Sequence, residues 1–397
     1  MTGKVGSNSD GNRVRKVCFL LPWFAAYRDE FFSKLTSDAG GLYELCVLHG
    51  EKPSDKVLKY KEPTEYSAKL LPTVNFSLLG YKLTWQRGLL REVRKLEPDA
   101  VVFLFNPGTV NYLFMMLYLK LARIPFALWI SLWTRHELSS NQRQRRERIR
   151  DFFIKLSSLM VCYGSADAAQ LKALGVPAER IVVAQNTINV ERILEFDRRK
   201  LREDSRMKLG IEDGERVVLF VGGLVKEKCL EKAIEAVRFN HANGKRLRFY
   251  VIGKGPERET LERIAKEGGA PIYFEGAIFG DDLRTYFSAA DMFLLTGDGG
   301  LAINEAMAYG LPVISPAADG TVPDLIEDGV NGYLLKGDQQ EEIDLAVRNL
   351  LEVDDERLGT MGLASRKIIE EKATMKNMVN RFKWSFDFLI SMRKGRK

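Results

Sequence analysis

The 397-residue sequence has little of what metal sites and disulfides are made from. The histidines are His49, His136 and His241, and the cysteines are Cys18, Cys46, Cys162 and Cys229. Histidines this few and this scattered do not make a ligand cluster, so we expect no bound metal. Most cysteines lie in apolar runs, and none forms a CxxC pair. This favours buried free thiols in a reducing compartment, and we expect a cytoplasmic protein.

The sequence also lacks a long apolar run without charges. Its most apolar stretch, residues 112–133, contains Lys120, Arg123 and Pro125, and is more typical of a helix followed by a buried strand than of a membrane span. Residues 1–13 are polar and rich in glycine and serine. Because they contain no apolar core of a signal peptide, we expect a disordered tail there.

Neither sign of charge is scarce, and the net charge of +7 with a pI near 9.0 weakly favours an anionic partner. The basic residues 143–150 (RQRRERIR) precede Phe152, Phe153 and Ile154. This stretch predicts either an amphipathic helix resting on anionic lipid or an ordinary solvated helix face. No stacking aromatic residues accompany the charge, so we expect no nucleic-acid partner.

Strand-length apolar runs alternate with helical segments along the chain, which suits two domains. In the first half the predicted strands are residues 17–21, 43–48, 100–105, 126–130, 158–161 and 181–183. Helical patterns fill residues 29–35, 84–96, 110–122 and the segment that ends at 175. A charged segment, residues 192–204, predicts a helical linker. The strands then resume at residues 217–221, 248–252, 272–274, 292–295, 313–315 and 333–335.

This alternation predicts an α/β protein of two Rossmann-like, doubly wound parallel-sheet domains whose strands end at a shared cleft. We expect the first domain at residues 14–190 and the second at residues 191–372. Residues 373–397 carry apolar side chains at helical spacing. They predict a last helix that packs back, onto the first domain.

Residues 291–311 (DMFLLTGDGGLAINEAMAYGL) predict a strand, a glycine turn and a helix in that order. Such a corner aims free backbone N–H groups and the positive end of a helix dipole at one point, and binds phosphates well. Glu305 lies one turn into the helix, where its carboxylate can accept from sugar hydroxyls. The alternative is an ordinary corner with Glu305 on a solvated face.

Three further glycine turns follow strands of the second half. In the first, Gly222 and Gly223 allow a close approach to the backbone, and Lys226 and Lys228 can reach a phosphate. A tight turn with two solvated lysines is the alternative. The other two turns lie at residues 251–256 and 274–278. Together with the corner they predict a row of exposed amides along one sheet edge, which suits a nucleotide diphosphate.

The segments FVGGLVKEK, IGKGP, FEGAI, AADMFLL, INEAMAYGLPVIS and DGVNGYLL occur in the order and approximate spacing of the family 4 glycosyltransferases, which this sequence therefore resembles. The resemblance implies the GT-B fold and retaining transfer of a sugar from a UDP- or GDP-sugar to a saccharide acceptor, without a metal or other cofactor. It also implies an acceptor in surface-polysaccharide or polyprenyl-linked glycan synthesis. Lipid contact by residues 143–150, one of the two alternatives above, would suit such an acceptor and would place the protein peripherally at the inner face of the membrane.

The resemblance implies roles for individual residues. Lys228 matches the lysine that contacts the donor diphosphate, and Glu305 the glutamate that holds the ribose. The phosphate-binding amides match Gly299, Gly300, Leu301 and Ala302, and the segment lining the base matches Gly276, Ala277 and Ile278. Tyr27 and Arg28 resemble an acceptor-side loop. His136 comes a few residues after the position of a family histidine, and is either a catalytic or acceptor residue or a surface loop residue.

The sequence departs from the family pattern at three donor-site positions. Gly297 stands where a first glutamate is expected, with Asp298 beside it as a possible substitute. Gly223 stands where an arginine is expected, with Lys226 as its possible replacement, and Cys229 stands at a usual glycine. These departures keep two alternatives open. One is a non-catalytic GT-B module that binds a nucleotide or a partner glycosyltransferase, and the other is a nucleotide-sugar epimerase.

Overall fold

The structure is a computed structural model that describes residues 13–51, 65–78, 81–132 and 140–394. In this part of the chain the strands of the first half are β1 (Arg15–Leu21), β2 (Tyr43–His49), β3 (Ser67–Leu70), β4 (Thr73–Leu78), β5 (Tyr81–Gln86), β6 (Ala100–Leu104), β7 (Phe126–Ile130), β8 (Leu159–Cys162) and β9 (Ile181–Val183). Its helices are α1 (Asp29–Asp38), α2 (Leu89–Leu96), α3 (Asn111–Leu121), α4 (Ser140–Leu156) and α5 (Ser165–Ala173).

The second half has strands β10 (Arg216–Val221), β11 (Leu247–Ile252), β12 (Ile272–Gly276), β13 (Met292–Leu294), β14 (Val313–Pro316) and β15 (Gly332–Leu335). Its helices are α6 (Glu191–Leu194), α7 (Arg198–Lys208), α8 (Leu230–Ala242), α9 (Arg258–Lys266), α10 (Gly280–Ala289), α11 (Ala302–Ala308), α12 (Val322–Leu325), α13 (Gln340–Glu352), α14 (Asp355–Lys372) and α15 (Met375–Lys394).

Apart from the antiparallel pair of β4 and β5, these strands form two parallel sheets, which confirms the predicted α/β class and its two doubly wound domains. The first sheet has seven strands in the order β3-β2-β1-β6-β7-β8-β9, and the second has six in the order β12-β11-β10-β13-β14-β15. The central strands are almost wholly apolar because helices cover both faces of each sheet. In each sheet the order reverses beside the first strand, and ligand crevices form at such a switch point.

One local prediction was wrong. Residues 84–86, predicted as helix, end β5, which pairs antiparallel with β4; the helix starts only at Leu89, after Gly88 at φ 75°. The helical linker predicted at residues 192–204 is helical, as α6 and α7, and α7 packs on the second domain. Arg202 of α7 donates to the buried carboxylate of Asp291 at 2.6 Å, so this segment is part of the domain rather than a free connection.

Helix α15 returns to the first sheet. The ring of Phe382 lies 5.0 Å from that of Trp129 and 4.9 Å from that of Phe31, measured between ring centroids. Such aromatic contacts add to the stabilisation from buried apolar area. The chain's end therefore packs into the apolar core of the first domain.

The two domains also meet where their strands end. Gly164, after β8, lies so close to Gly320, after β14, that a Cβ on Gly164 would be 1.8 Å from the carbonyl oxygen of Gly320. The Ser165 amide donates to Asp324 Oδ2 at 2.6 Å, and Gln185 donates to the carbonyl of Thr321 at 3.1 Å. The carboxyl ends of both sheets therefore face each other, as an active-site cleft requires.

None of the four cysteines, all of which lie in the described ranges, forms a disulfide. Cys18 and Cys46 are register partners on β1 and β2, and both are buried. Of the apolar residues after the basic run, Phe153 and Ile154 are buried in the first domain. None of the helices in the described ranges has the length and apolar character needed to cross a membrane.

Candidate functional site

Lys228 lies at the end of a short turn of 3-10 helix between β10 and α8. Its ammonium donates to the carbonyl oxygens of Asp298, at 2.6 Å, and Gly299, at 2.7 Å. An ammonium has three N–H donors, so one remains for an anion at this turn. Burial lowers the pKa of Lys228, and the carboxylates of Asp298 and Asp319 oppose that shift.

Cys229 follows Lys228 and has a left-handed backbone, with φ at 47°. Glycine adopts this conformation without steric strain, whereas a residue with a Cβ pays for it. The backbone at Cys229 is therefore the one that glycine favours. The turn that orients Lys228 forms even though cysteine stands where a glycine is usual.

Gly297 lies in the turn that follows β13, and it has no room for a side chain. A Cβ there would lie 2.2 Å from the carbonyl oxygen of Glu227 and 2.5 Å from that of Lys228. The neighbouring Asp298 amide also donates to Glu227, at 2.7 Å. The absence of a glutamate is thus built into the packing of this corner.

The predicted row of free amides is only partly present. The Gly222 amide donates to Ile252 at 2.9 Å, and the Gly253 amide donates to Gly276 at 2.7 Å, so neither is available to a ligand. The Gly299 amide is also taken, by the carbonyl of Ala318 at 3.2 Å. The strand-end glycines instead serve close packing, since a Cβ on Gly253 would lie 1.8 Å from the Gly222 carbonyl oxygen.

Three amides of the corner remain without an acceptor among the described residues: those of Gly300, Leu301 and Ala302. Lys228 lies beside them, because a Cβ on Gly300 would be 3.4 Å from its Nζ. The structure therefore brings an ammonium and three backbone donors to one point. This is the arrangement that a phosphate group requires.

Glu305 lies in the first turn of α11, and its carboxylate receives no hydrogen bond or ion pair from the described residues. Burial raises the pKa of Glu305 to about 7. A half-buried carboxylate without donors is costly, and hydroxyl donors of a ligand would relieve that cost.

The other predicted donor-side residues occupy neighbouring loops. Gly276 ends β12 with φ at 77°, and Ile278 packs against the core of the second domain. Gly223 and Lys226 are exposed. The amide of Leu224, between them, donates to Lys254 at 3.0 Å.

On the first domain, a cavity of about 670 Å³ opens beside the ends of β1, β6 and β7. Tyr27 and Arg28 both line it, together with Trp23, Trp129 and Tyr163. His136 lies outside the described residues.

Sequence reasoning missed two carboxylates at the junction between the domains. Asp319 follows β14, and a Cβ on Gly299 would lie 2.6 Å from its Oδ2. Asp167 of α5 is buried, and burial, followed by the nearby Asp319, raises its pKa to about 6. Their positions in the sequence could have indicated them, because both follow a buried strand. Asp319 comes within a few residues of its strand, and Asp167 lies one turn into the next helix.

Asp319 is held in a fixed orientation. Its Oδ1 accepts from the amide of Thr321 at 2.8 Å and from that of Val322 at 3.3 Å. The other oxygen, Oδ2, is the one beside Gly299. Within the described ranges, no group of three or more histidine, cysteine or carboxylate side chains is arranged to hold a metal ion.

Two family models match this chain: "Glycosyl transferases group 1" over residues 202–367 and "Glycosyltransferase Family 4" over residues 44–192. The sulfoquinovosyl transferase SQD2 of Arabidopsis thaliana is 31% identical over 183 residues, which are 44% of this chain and 34% of that protein. The putative colanic acid glycosyltransferase WcaL of Salmonella typhimurium is 26% identical over 224 residues, 54% of this chain and 52% of the relative.

A GDP-mannose-dependent alpha-mannosyltransferase of Corynebacterium glutamicum is 32% identical over 161 residues, 40% of this chain and 36% of that enzyme. The chain thus spans from about a third to half the length of these curated relatives. Among solved structures, Anabaena HepE in complex with UDP has a TM-score of 0.70 at 16% identity, covering 94% of this chain and 99% of its own. WaaG, involved in lipopolysaccharide biosynthesis, has a TM-score of 0.65 at 15% identity, covering 94% of this chain and 99% of its own. At such identities the likeness shows the fold.

Proposed function

Because the chain belongs to the family 4 glycosyltransferases of the GT-B fold, we propose that it moves a sugar from a UDP- or GDP-sugar to a saccharide acceptor, with retention at the anomeric carbon. The observation that carries this proposal is the contact of the Lys228 ammonium with the Gly299 turn, beside three free amides. Relatives and neighbours named for GDP-mannose and for UDP support either nucleotide.

In this proposal the diphosphate occupies the corner formed by Lys228 and the amides of Gly300, Leu301 and Ala302. As the bond to the sugar breaks, negative charge grows on the leaving diphosphate. Donors already fixed at that point stabilise the charge without reorganising, and removal of one such donor typically costs about a hundredfold or more in turnover. The protein therefore supplies the positive charge from its own groups.

Glu305 then holds the ribose, because hydroxyl donors satisfy its unpartnered carboxylate. The segment of Gly276, Ala277 and Ile278 lines the base, and the loop of Gly222, Gly223 and Lys226 borders the diphosphate. These assignments follow the resemblance of the motifs. The first domain, with Tyr27 and Arg28, binds the acceptor.

A carboxylate beside the transferred sugar must come from somewhere other than Gly297. Asp298 is adjacent in sequence, but its backbone is bonded on both sides, to Glu227 and to Lys228. Asp319 Oδ2 points to the Gly299 turn from the other wall of the corner. We assign the sugar-facing carboxylate to Asp319, with Asp298 as the alternative.

The acceptor in this proposal is a saccharide or a polyprenyl-linked glycan, and the enzyme works in the cytoplasm at the inner membrane face. Exposed apolar side chains on the first domain support such contact. Trp85 and Phe114 are 39% and 57% exposed, and their ring centroids lie 6.0 Å apart. Sedimentation with anionic vesicles, compared with neutral ones, tests the contact.

The test of the activity is release of UDP or GDP from a panel of their sugars, with and without a lipid extract as the acceptor source. We expect one nucleotide family to be turned over, with the extract increasing the rate. The anomeric configuration of the product, read by NMR, tests retention. Release from none of the sugars, with or without the extract, would contradict the proposal.

One observation favours a second candidate, a non-catalytic nucleotide-binding module: Gly297 closes the position of the expected glutamate. Such a module would bind UDP or GDP and release nothing from any sugar. An epimerase would instead change the donor sugar without an acceptor, which chromatography of the nucleotide-sugar would show.

A further inference from the structure

Arg28 is a buried cation at the cavity of the first domain. It ends the 3-10 turn after β1, its side chain is 5% exposed, and it lines the cavity of about 670 Å³. Removing a guanidinium from water is costly unless an opposite charge and hydrogen bonds compensate. The groups around Arg28 therefore indicate what the site is built for.

The partners of Arg28 are neutral. Its Nη2 donates to the hydroxyl of Tyr163 at 2.7 Å, and its Nε donates to that of Tyr27 at 3.2 Å. The guanidinium carbon lies 4.2 Å from the ring centroid of Trp129. Burial raises the pKa of Tyr163 to about 12, so its phenol carries no charge at neutral pH. No carboxylate among the described residues forms an ion pair with Arg28.

Two buried donors at this cavity have no acceptor within the part of the chain described. One is Nη1 of Arg28, and the other is Nε1 of Trp129, which lines the same cavity. Unsatisfied buried donors are rare in folded proteins and call for a missing partner. Both donors lack an acceptor atom. Because Nη1 belongs to the Arg28 cation, an anionic acceptor would also compensate the buried charge.

The tyrosines fit the same partner. A phenol oxygen that accepts from Arg28 keeps its own O–H proton to donate elsewhere. The hydroxyls of Tyr27 and Tyr163 can therefore donate two further hydrogen bonds to an anion beside Arg28. Arg150, a second cation on the cavity wall, is held by Asp151 at 2.9 Å.

We propose that Arg28, with the hydroxyls of Tyr27 and Tyr163, binds an anionic group of the sugar acceptor in this cavity, so that the acceptor class is a phosphorylated or carboxylated saccharide. That this anionic group belongs to a sugar acceptor rests on the proposed transferase function. The binding site itself does not, because it lies wholly on the first domain. A planar guanidinium pairs with carboxylate and phosphate oxygens through two parallel hydrogen bonds, and both groups are therefore suitable.

The test measures binding of three matched probes by tryptophan fluorescence and calorimetry: glucose 6-phosphate, glucuronate and glucose. We expect at least one anionic probe to bind about tenfold or more tighter than glucose, the scale of one hydrogen bond to a charged group. The choice between phosphate and carboxylate identifies the source of the anion. Equal affinity for all three probes, or no binding of any, would overturn the proposal.

Variants assign the binding to Arg28. Arg28→Met should remove the preference for the anion, and Arg28→Lys, which keeps the charge, should retain part of it. Lys228→Met should leave the preference unchanged, which separates this site from the donor phosphate site. An anion preference that survives Arg28→Met would contradict the assignment.

Folding of the variants is checked by thermal unfolding. Arg28→Met loses the hydrogen bonds to Tyr27 and Tyr163 and the contact with the Trp129 ring, so we expect it to fold but to be somewhat less stable than the natural protein. If it does not fold, Tyr163→Phe keeps Arg28 and should still weaken binding of the anion several-fold. Failure of nucleotide binding would count against the transferase proposal alone, since Arg28, Tyr27 and Tyr163 all lie on the first domain and Lys228→Met controls for binding of the probes at the second.

Discussion

The ammonium of Lys228 lies 2.7 Å from the carbonyl oxygen of Gly299, although 71 residues separate them in the chain. The sheet order explains the contact, because β10 and β13 are neighbours and the loops after them leave the same edge. Lys228 thus reaches its place through the topology of the sheet. The candidate donor site depends on this one relationship.

The first prediction concerns pH and Glu305. Burial raises the pKa of this carboxyl to about 7, and donation by ribose hydroxyls favours the ionised form. Affinity for the nucleotide should therefore be highest above pH 7 and fall by up to about tenfold per unit below it. Glu305→Gln should bind less tightly at high pH and lose this dependence. Calorimetric titration from pH 5.5 to 8.5 measures both.

The same shift has a consequence for stability. A folded pKa of about 7, above the ordinary 4.5, means that the folded protein holds a proton that the unfolded chain has lost. The free energy of unfolding should therefore decrease as the pH rises from 4.5 to 7, by about 3 kcal/mol at most. Glu305→Gln should abolish that part of the slope, and Glu356→Gln, at an exposed position of α14, should not. An identical slope in Glu305→Gln would contradict the assignment.

The second prediction concerns the space at Gly297. Gly297→Ala places a Cβ 2.2 Å from the Glu227 carbonyl oxygen and should cost about 1–3 kcal/mol of stability, the scale of overpacking. Gly359→Ala is the matched control, because nothing lies within 4 Å of that Cβ in α14. It should gain about 0.5–1 kcal/mol. Denaturant unfolding of both variants measures the difference in their stabilities. Equal stabilities would show that residue 297 has room for a side chain.

The third prediction concerns the left-handed backbone of Cys229, with φ at 47°. Cys229→Gly should stabilise the protein by up to about 1 kcal/mol, because glycine relieves the contact of Cβ with the backbone. Cys229→Ala keeps the Cβ and should bring no gain. Thermal unfolding of the two variants tests the comparison, and a larger gain from alanine would rule out backbone strain as the cause.

The fourth prediction distinguishes the two carboxylates at the corner. Asp319→Asn should lower kcat/KM for sugar transfer by about tenfold to a hundredfold, the cost of losing a hydrogen bond to a charged group. Asp298→Asn should have the smaller effect, because the contacts of Asp298 with Lys228 and Glu227 use its backbone. Steady-state kinetics on folded variants decides between them, and the reverse order would transfer the role to Asp298.

Much of this arrangement was predictable from the sequence, for local reasons. A strand followed by Gly299 and Gly300, and then by good helix formers, predicts the corner in which the structure places three free amides. Lys228 was predictable because it follows a strand of the same sheet. Parallel strands of an α/β sheet put their carboxyl ends on one edge, so residues that follow strands become neighbours.

Other features depend on contacts that no local pattern contains. The amides of Gly222 and Gly253 looked free, but each donates to the carbonyl of the last residue of the adjacent strand. The place of Asp319 over Gly299 arises from the packing of two loops, and the hairpin of β4 and β5 arises from pairing that overrides a helical spacing. That no carboxylate of the described residues pairs with Arg28 becomes visible only from the three-dimensional contacts.

The central claim is that Lys228 and the adjacent amides bind a nucleoside diphosphate, and calorimetry with UDP and GDP tests it most directly. We predict that one of them binds saturably and that Lys228→Met weakens its affinity by about tenfold to a hundredfold. Lys245→Met, which removes a lysine paired with Glu352 at the other end of the sheet, should bind as the natural protein does. Undiminished affinity in Lys228→Met, or binding of neither nucleotide, would contradict the claim.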